Sequence, residues 1–227
     1  MEDIRRYIKK VIIDGEARVG KTAFVNVVAP KEPYYQNDPH RLTRIKMYRL
    51  YDAMIGLHVF DNPYPASLTK EGLFDIFYTN ANGVIYIFDP SNDDSVLRIP
   101  DKLQSISERT KTEYIDCILA GNLDLVADQN KVPPSEEIER WLQDTLLSFK
   151  KIRKIHYTQI SLEHNVNIDV PLNLLVAGFI DERTRCMNCF KEFDEIKIIN
   201  YTAFCEKCAK SPDFDKVDAF YRLNEKE

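Results

Sequence analysis

Apolar runs and amphipathic segments alternate along most of the chain. Short runs rich in Ile, Val and Leu, bounded by turn residues, are typical of buried strands. Five such runs predict strands over residues 8–13, 44–51, 84–88, 115–120 and 155–160.

Helical spacing of apolar residues fills most of the intervals between these strands. It predicts helices over residues 22–29, 67–78, 96–106 and 169–180, with Pro100 interrupting the third of them. Residues 30–42 are rich in Pro, Asn and Asp, which predicts a loop.

The clearest helix follows Pro133 and Pro134. Ser135 is suited to cap its first turn, and the acidic Glu136 and Glu137 suit the positive end of the helix dipole. The residues spaced to form one core-facing stripe are Ile138, Trp141, Leu142, Thr145, Leu146 and Phe149.

Strands that alternate with helices predict an α/β fold with a mainly parallel sheet and helices on both faces. The 227 residues suit one full domain and a small appendage, here assigned to residues 1–180 and 181–227. The hydrophobic content of 44% is sufficient for a sizeable core.

The charge and the termini narrow the function. A net charge of −5 argues against binding of nucleic acid by the chain as a whole. No secretory signal or membrane-spanning run is visible, Glu2 excludes N-myristoylation, and Asn224–Glu227 contains no prenylation cysteine. We therefore expect a soluble cytoplasmic protein without a membrane anchor.

A phosphate-binding motif follows the first predicted strand. The eight residues fit the pattern G-x-x-x-x-G-K-[ST]: Gly15, Glu16, Ala17, Arg18, Val19, Gly20, Lys21 and Thr22. Backbone N–H groups of such a loop converge on a phosphate chain, Lys21 neutralises β- and γ-phosphate oxygens, and the Thr22 hydroxyl ligates Mg²⁺. The alternative is a chance Gly/Lys turn, which the strand–turn–helix context disfavours.

Several further segments resemble motifs of the Ras-like superfamily of small GTPases, both in their residues and in their order along the chain. They are RLYDAMIG (49–56), FYTNANGVIYIFDPSNDDSV (77–96), AGNLDL (120–125), QISLEH (159–164) and NVNIDVPLNLLVAGFI (165–180). The resemblance implies a P-loop fold that binds GTP or GDP with Mg²⁺.

The resemblance also assigns roles to individual residues. Asp52 would hold Mg²⁺ together with Thr22. Asn122 and Asp124 would read the guanine base, with the Asp124 carboxylate accepting from the guanine N1–H and exocyclic amine. Ser161 and Leu162 would lie behind the base.

Departures from the family pattern concern hydrolysis and switching. Only 29 residues separate Thr22 from Asp52, which predicts a shortened first switch. Gly56 is one position too late for Asp-x-x-Gly, and His58 follows near the place of the water-orienting glutamine. Leu123 replaces the lysine of the guanine motif, and the Arg18 side chain is large enough to obstruct the phosphates.

These departures leave three hypotheses. The first is a guanine-nucleotide-binding protein with weak or absent hydrolysis that serves as a docking or regulatory module for protein partners. The second is a nucleotide-free scaffold subunit, and the third is an active GTPase with atypical switch residues such as His58. No catalytic residue is assigned.

Four of the five cysteines form a second motif. Two Cys-x-x-Cys pairs with 15 residues between them predict a structural zinc site: Cys186, Cys189, Cys205 and Cys208. A short hairpin between the pairs would bring them together. The alternative is two disulfides, which need an oxidising compartment. The fifth cysteine, Cys117, lies in a buried strand pattern and is predicted to be a core residue.

Overall fold

A computed structural model describes residues 5–30, 43–49, 53–61, 78–128, 131–146, 149–179, 197–199 and 202–204. The strands are β1 (Arg5–Gly15), β2 (Thr43–Arg49), β3 (Ala53–Asp61), β4 (Gly83–Phe88), β5 (Ile115–Asn122), β6 (Ile152–Ile160), β7 (Lys197–Ile199) and β8 (Thr202–Phe204). The helices are α1 (Lys21–Val28), α2 (Asp93–Leu97), α3 (Ile99–Arg109), α4 (Ser135–Leu146) and α5 (Val170–Phe179), with a 3₁₀ turn at Leu123–Leu125.

Six of these strands form one sheet in the order β2-β3-β1-β4-β5-β6. All neighbours are parallel except β2, which is antiparallel to β3 at the edge. A parallel sheet is covered on both faces, and β4 and β5 are accordingly buried along their whole length. The predicted α/β class with a mainly parallel sheet is confirmed.

The core has two layers because successive side chains of a strand point to opposite faces. Val11 and Ile13 of β1 belong to the layer that also contains residues of α1 and α5. Ile12 belongs to the opposite layer, which contains residues of α3 and α4. All three are fully buried, so β1 is covered by helices on both faces.

Most predicted helices are confirmed where the structure describes them. Pro100 divides the predicted helix into α2 and α3 and lies in the first turn of α3, where its missing N–H costs nothing. The helix α4 begins at Ser135 and buries Ile138 and Leu142, as its stripe predicts.

The predicted strand over residues 44–51 is confirmed as β2 as far as Arg49, the last of these residues that the structure describes. A second strand, β3, follows from Ala53 to Asp61 and was not predicted. Within β3, the large apolar side chains of Ile55, Leu57 and Val59 are buried and occupy every second position, so this segment carries a strand pattern of its own.

The remaining predictions fall partly outside the described residues. The loop over 30–42 and the helix over 67–78 lie almost entirely there, as do all four cysteines of the predicted zinc site. Between the two cysteine pairs, β7 and β8 form an antiparallel hairpin, as predicted. Within the described part of the chain, no helix is long and apolar enough to cross a membrane.

Replacement of Leu57 by Ala tests the position of β3. Leu57 is fully buried, so we expect the truncation to lower the free energy of unfolding by about 2–5 kcal/mol in urea denaturation. The matched control is Met47→Ala on the neighbouring strand β2. Its side chain is 52% exposed, so we expect a change within about 0.5 kcal/mol. Equal tolerance of both changes would contradict the assignment of β3.

Candidate nucleotide-binding site

The loop between β1 and α1 has a backbone that turns through unusual conformations. Gly15, Arg18 and Gly20 have φ values of 146°, 65° and 96°. A Cβ on Gly15 would lie 2.1 Å from the carbonyl oxygen of Ile87 in β4, so only glycine fits this close approach. Gly20 caps α1 without a side-chain hydrogen bond, which leaves the first N–H groups of the helix for a ligand.

Lys21 holds the loop together from the first position of α1. Its Nζ donates to the carbonyl oxygen of Gly15 at 2.9 Å and to that of Glu16. Burial lowers the pKa of Lys21, while the carboxylates of Asp14, Asp61 and Glu16 act in the opposite direction. An ammonium group has three donors, so one remains for a ligand beyond these two bonds to the described residues.

Thr22 and Asp61 meet beside this lysine. The Thr22 hydroxyl donates to Oδ2 of Asp61 at 2.7 Å. The other oxygen, Oδ1, is buried and has no hydrogen-bond partner among the described residues. A hydroxyl and a carboxylate oxygen are typical Mg²⁺ ligands, and a buried acceptor without a donor fits a position next to a cation.

Asp61 replaces Asp52 at this edge of the sheet. Asp52 lies outside the described residues, but Ala53, the next residue, pairs with Arg5 at the opposite end of β1. From there β3 extends over eight further residues, about 26 Å, before it reaches Asp61 beside the loop. Thr22 and Asp61 are 39 positions apart in the chain, against 30 for Thr22 and Asp52, so the predicted shortening of the first switch does not apply to the aspartate that contacts Thr22.

His58 lies inside β3 and not in a loop beside the phosphate site. It pairs with Lys10 of β1 and Ile45 of β2, three residues before Asp61 and therefore about 10 Å from it along the strand. The described geometry excludes it as the residue that orients a water molecule at the phosphates.

The predicted base-side residues come together at the ends of β5 and β6. Asn122 is buried, and its Nδ2 donates to the carbonyl oxygen of Val19 in the loop at 3.0 Å. Asp124 Oδ1 accepts from the Ser161 hydroxyl at 2.5 Å, and Oδ2 accepts from the backbone N–H of Leu162 at 2.7 Å. The sequence therefore identified four residues that the fold brings into one cluster.

Hydrogen bonds to the carboxylate lower the pKa of Asp124. Burial raises the pKa of this carboxyl, but the hydrogen bonds from Ser161 and from the backbone N–H groups of Glu163 and Leu162 outweigh it. The net effect is a lowered pKa, so the carboxylate is ionised at neutral pH.

Several polar contacts of the loop had no clear signal in the sequence. Glu16 accepts from the Ser95 hydroxyl and from Arg98, both at 3.3 Å, which ties the loop to α2 and the residue after it. Asp14 accepts from the backbone N–H of Gly15 at 2.8 Å and from the hydroxyl of Tyr78. Asp61 was detectable, because it ends an alternating apolar run.

The two remaining predictions concern Arg18 and the cysteines. Arg18 is exposed, as is Ala17 beside it. Cys117 is buried, and burial raises the pKa of its thiol, which confirms a core residue. Among the described residues no group of three or more His, Cys, Asp or Glu is placed to hold a metal ion. The zinc site on residues 186–208 therefore stays a prediction.

Comparisons with known proteins place this site in context. The chain is 24% identical to the Ras-related protein RabN1 of Dictyostelium discoideum over 174 residues, which are 73% of this chain and 79% of that protein. The similarity supports a Ras-like small GTPase. Over 131 residues the chain is also 24% identical to the Ras-related protein Rab-21 of Mus musculus, of which it covers 57%. No protein-family model matches the chain.

The backbone of the loop can be tested with glycine substitutions at neighbouring positions. Arg18 has a positive φ, which costs a non-glycine residue about 1–2 kcal/mol, whereas Ala17 does not. Glycine also lowers stability through chain entropy at either position. We therefore expect the Arg18→Gly protein to be more stable than the Ala17→Gly protein by about 1–2 kcal/mol in urea denaturation. The reverse order would show that the loop has another conformation.

Proposed function

We propose that this small GTPase-like chain binds guanine nucleotide with Mg²⁺, hydrolyses it slowly or not at all, and acts as a docking or regulatory module. The observation that carries the proposal is the meeting of the Lys21 ammonium, the Thr22 hydroxyl and the Asp61 carboxylate at the mouth of the loop.

Binding of the phosphates follows from the backbone and from Lys21. Gly20 leaves the first N–H groups of α1 without a side-chain cap, and N–H groups at such a helix start bind phosphate well. The remaining donor of Lys21 suits a β- or γ-phosphate oxygen. Three carboxylates, those of Asp14, Asp61 and Glu16, act on this lysine. Their negative charge repels the phosphates of a nucleotide, so a divalent cation is needed to offset this repulsion.

Thr22 and Asp61 would hold that cation. The hydroxyl oxygen of Thr22 and the buried Oδ1 of Asp61 fit Mg²⁺ in their donor type, and Mg²⁺ is commonly held by few protein oxygens together with phosphates. When bound, Mg²⁺ would neutralise charge on the phosphate chain.

The residues after Asp61 support slow hydrolysis. If Asp61 begins the family pattern Asp-x-x-Gly, Tyr64 stands in place of the glycine and Pro65 in place of the water-orienting glutamine. A proline side chain offers no hydrogen bond to a water molecule, and His58 lies inside β3. Positioning of water is the main contribution that such enzymes make, so its loss leaves little turnover.

A nucleotide-free scaffold is the second candidate. It is favoured by the internal hydrogen bonds of the site, in which Lys21 already binds two carbonyl oxygens and Asp124 already binds the turn after β6. Such a protein would keep the loop for its shape and expose other surfaces to protein partners.

Nucleotide binding to the full chain distinguishes the two candidates. The purified protein is expected to release GDP or GTP on denaturation, as measured by liquid chromatography and mass spectrometry. Lys21→Ala is expected to weaken binding of GDP on the order of 100-fold, because charge-assisted bonds to phosphate are lost. The control is Lys111→Ala, which removes an exposed lysine that precedes β5, at the end of the strands opposite to the loop. This variant should bind GDP as the wild type does.

The role of Mg²⁺ is tested in the same assay. In the wild type, removal of Mg²⁺ with EDTA should weaken binding of GDP, and Asp61→Asn should reduce this Mg²⁺ effect by roughly ten-fold. Absence of any purine nucleotide, together with no stabilisation by Mg²⁺ and GDP, would favour the scaffold.

We also propose that residues 181–227 form a separate zinc-bound module next to the nucleotide-binding domain of residues 1–180. The hairpin of β7 and β8 supports this, because it lies between the two Cys-x-x-Cys pairs and returns the chain toward its starting point. A segment of this size gains its stability from the metal.

Zinc content gives a direct measurement of this module. By inductively coupled plasma mass spectrometry we expect about one zinc per chain, as a four-cysteine site requires. Cys189→Ser and Cys205→Ser should each lose most of the metal, whereas Cys117→Ala should retain it, because Cys117 is a core residue of the sheet. A metal-free wild type purified without chelators would contradict the proposal.

A further inference from the structure

The hydrogen bonds of Asp124 leave little capacity for a base. A carboxylate offers about four lone-pair positions. Oδ2 accepts from the backbone N–H groups of Leu162 and Glu163 at 2.7 and 3.2 Å, and Oδ1 accepts from the Ser161 hydroxyl at 2.5 Å. To bind the N1–H and amine of guanine with both oxygens, Asp124 would first have to give up contacts with this turn.

The turn after β6 is organised around the carboxylate. The Ser161 hydroxyl also accepts from the backbone N–H of His164 at 3.0 Å. Ser161 and Val166 exchange two backbone hydrogen bonds of 3.0 and 2.9 Å, and Asn165 between them has a positive φ of 56°. Asp124 thus fills the interior of a closed turn, as an anion fills a nest of N–H groups.

The short spacing of the Asn122-Leu123-Asp124 segment fixes this position. The segment enters a 3₁₀ turn in which Asn122 Oδ1 accepts from the backbone N–H of Asp124 at 3.1 Å. With its backbone held by Asn122, Asp124 has its side chain directed to the turn 37 and 38 positions further along the chain.

The phosphate loop packs directly against the same cluster. A Cβ on Gly20 would lie 3.0 Å from Asn122 Nδ2 and 3.5 Å from a methyl carbon of Leu162. Leu162 is partly buried against the core. The groups next to the loop on this side are therefore an amide already bonded to Val19 and an aliphatic side chain, neither of which distinguishes guanine from adenine.

We propose that Asp124 is a positioning residue that anchors the turn at Ser161–Glu163, and that it does not read the base. The consequence for selectivity rests on the proposed function. The site binds purine nucleoside di- and triphosphates by their phosphates and Mg²⁺, with little preference for guanine. A site that reads a base through hydrogen bonds rejects the wrong one by orders of magnitude, whereas the oxygens of Asp124 already accept three hydrogen bonds from the turn.

Competition binding to the full chain tests this selectivity. We expect the Kd values of GDP and ADP with Mg²⁺ to differ by less than about ten-fold, since the Asp124 oxygens bond to the turn. Asp124→Ala should weaken both nucleotides by a similar factor, because it removes the acceptor oxygens to which the turn donates. Glu163→Gln removes an exposed carboxylate from the same turn and should change neither value.

Amide hydrogen exchange gives a readout that does not depend on nucleotide. In the nucleotide-free wild type, the N–H groups of Leu162 and Glu163 should be protected, and Asp124→Ala should remove that protection while Glu163→Gln retains it. Addition of GDP should not change it in the wild type.

Two results would overturn the inference. One is a guanine preference above about ten-fold that Asp124→Ala abolishes, which would show that the carboxylate reads the base. The other is free exchange of the Leu162 and Glu163 amides in the nucleotide-free wild type. Absence of binding for both GDP and ADP would overturn the proposed function and the selectivity with it, whereas the exchange data would still decide whether Asp124 anchors the turn.

Discussion

The close approach of β1 to β4 at the carboxyl edge of the sheet is the constraint on which the site depends. At Gly15 no room remains for a side chain, since a Cβ would meet the Ile87 carbonyl oxygen at 2.1 Å. The chain leaves the sheet there, turns through the loop, and enters α1 at Lys21. The Lys21 ammonium then donates to the carbonyl oxygen of Gly15, so a hydrogen bond joins the end of the loop to its start.

The parallel order of the strands brings the other groups to this point. Carboxyl ends of parallel strands share one edge, and ligands of open α/β sheets bind there. Asp61 therefore arrives from β3 and Asn122 from β5, on the two sides of the loop. On the β3 side the Thr22 hydroxyl meets the Asp61 carboxylate, while on the β5 side the polar groups bond mainly to one another.

Prediction from the sequence succeeded where local pattern and chemistry coincide. The loop motif, the buried strand β4 and the amphipathic helix α4 each follow from residues close together in the chain. It failed at β3, because the likeness of residues 49–56 to a family motif outweighed the alternation of Ile55, Leu57 and Val59. The aspartate that the structure places beside Thr22 is Asp61, at the end of this strand.

The sequence alone determined that a glycine-rich loop with a lysine and a threonine would join a strand to a helix, because each requirement is local to eight residues. Only the tertiary structure decided which aspartate reaches Thr22 and what Asp124 binds. Both depend on strand register and on hydrogen bonds between residues 37 to 39 positions apart. A shift of one residue moves a carboxylate from one partner to another, and no pattern along the chain measures that shift.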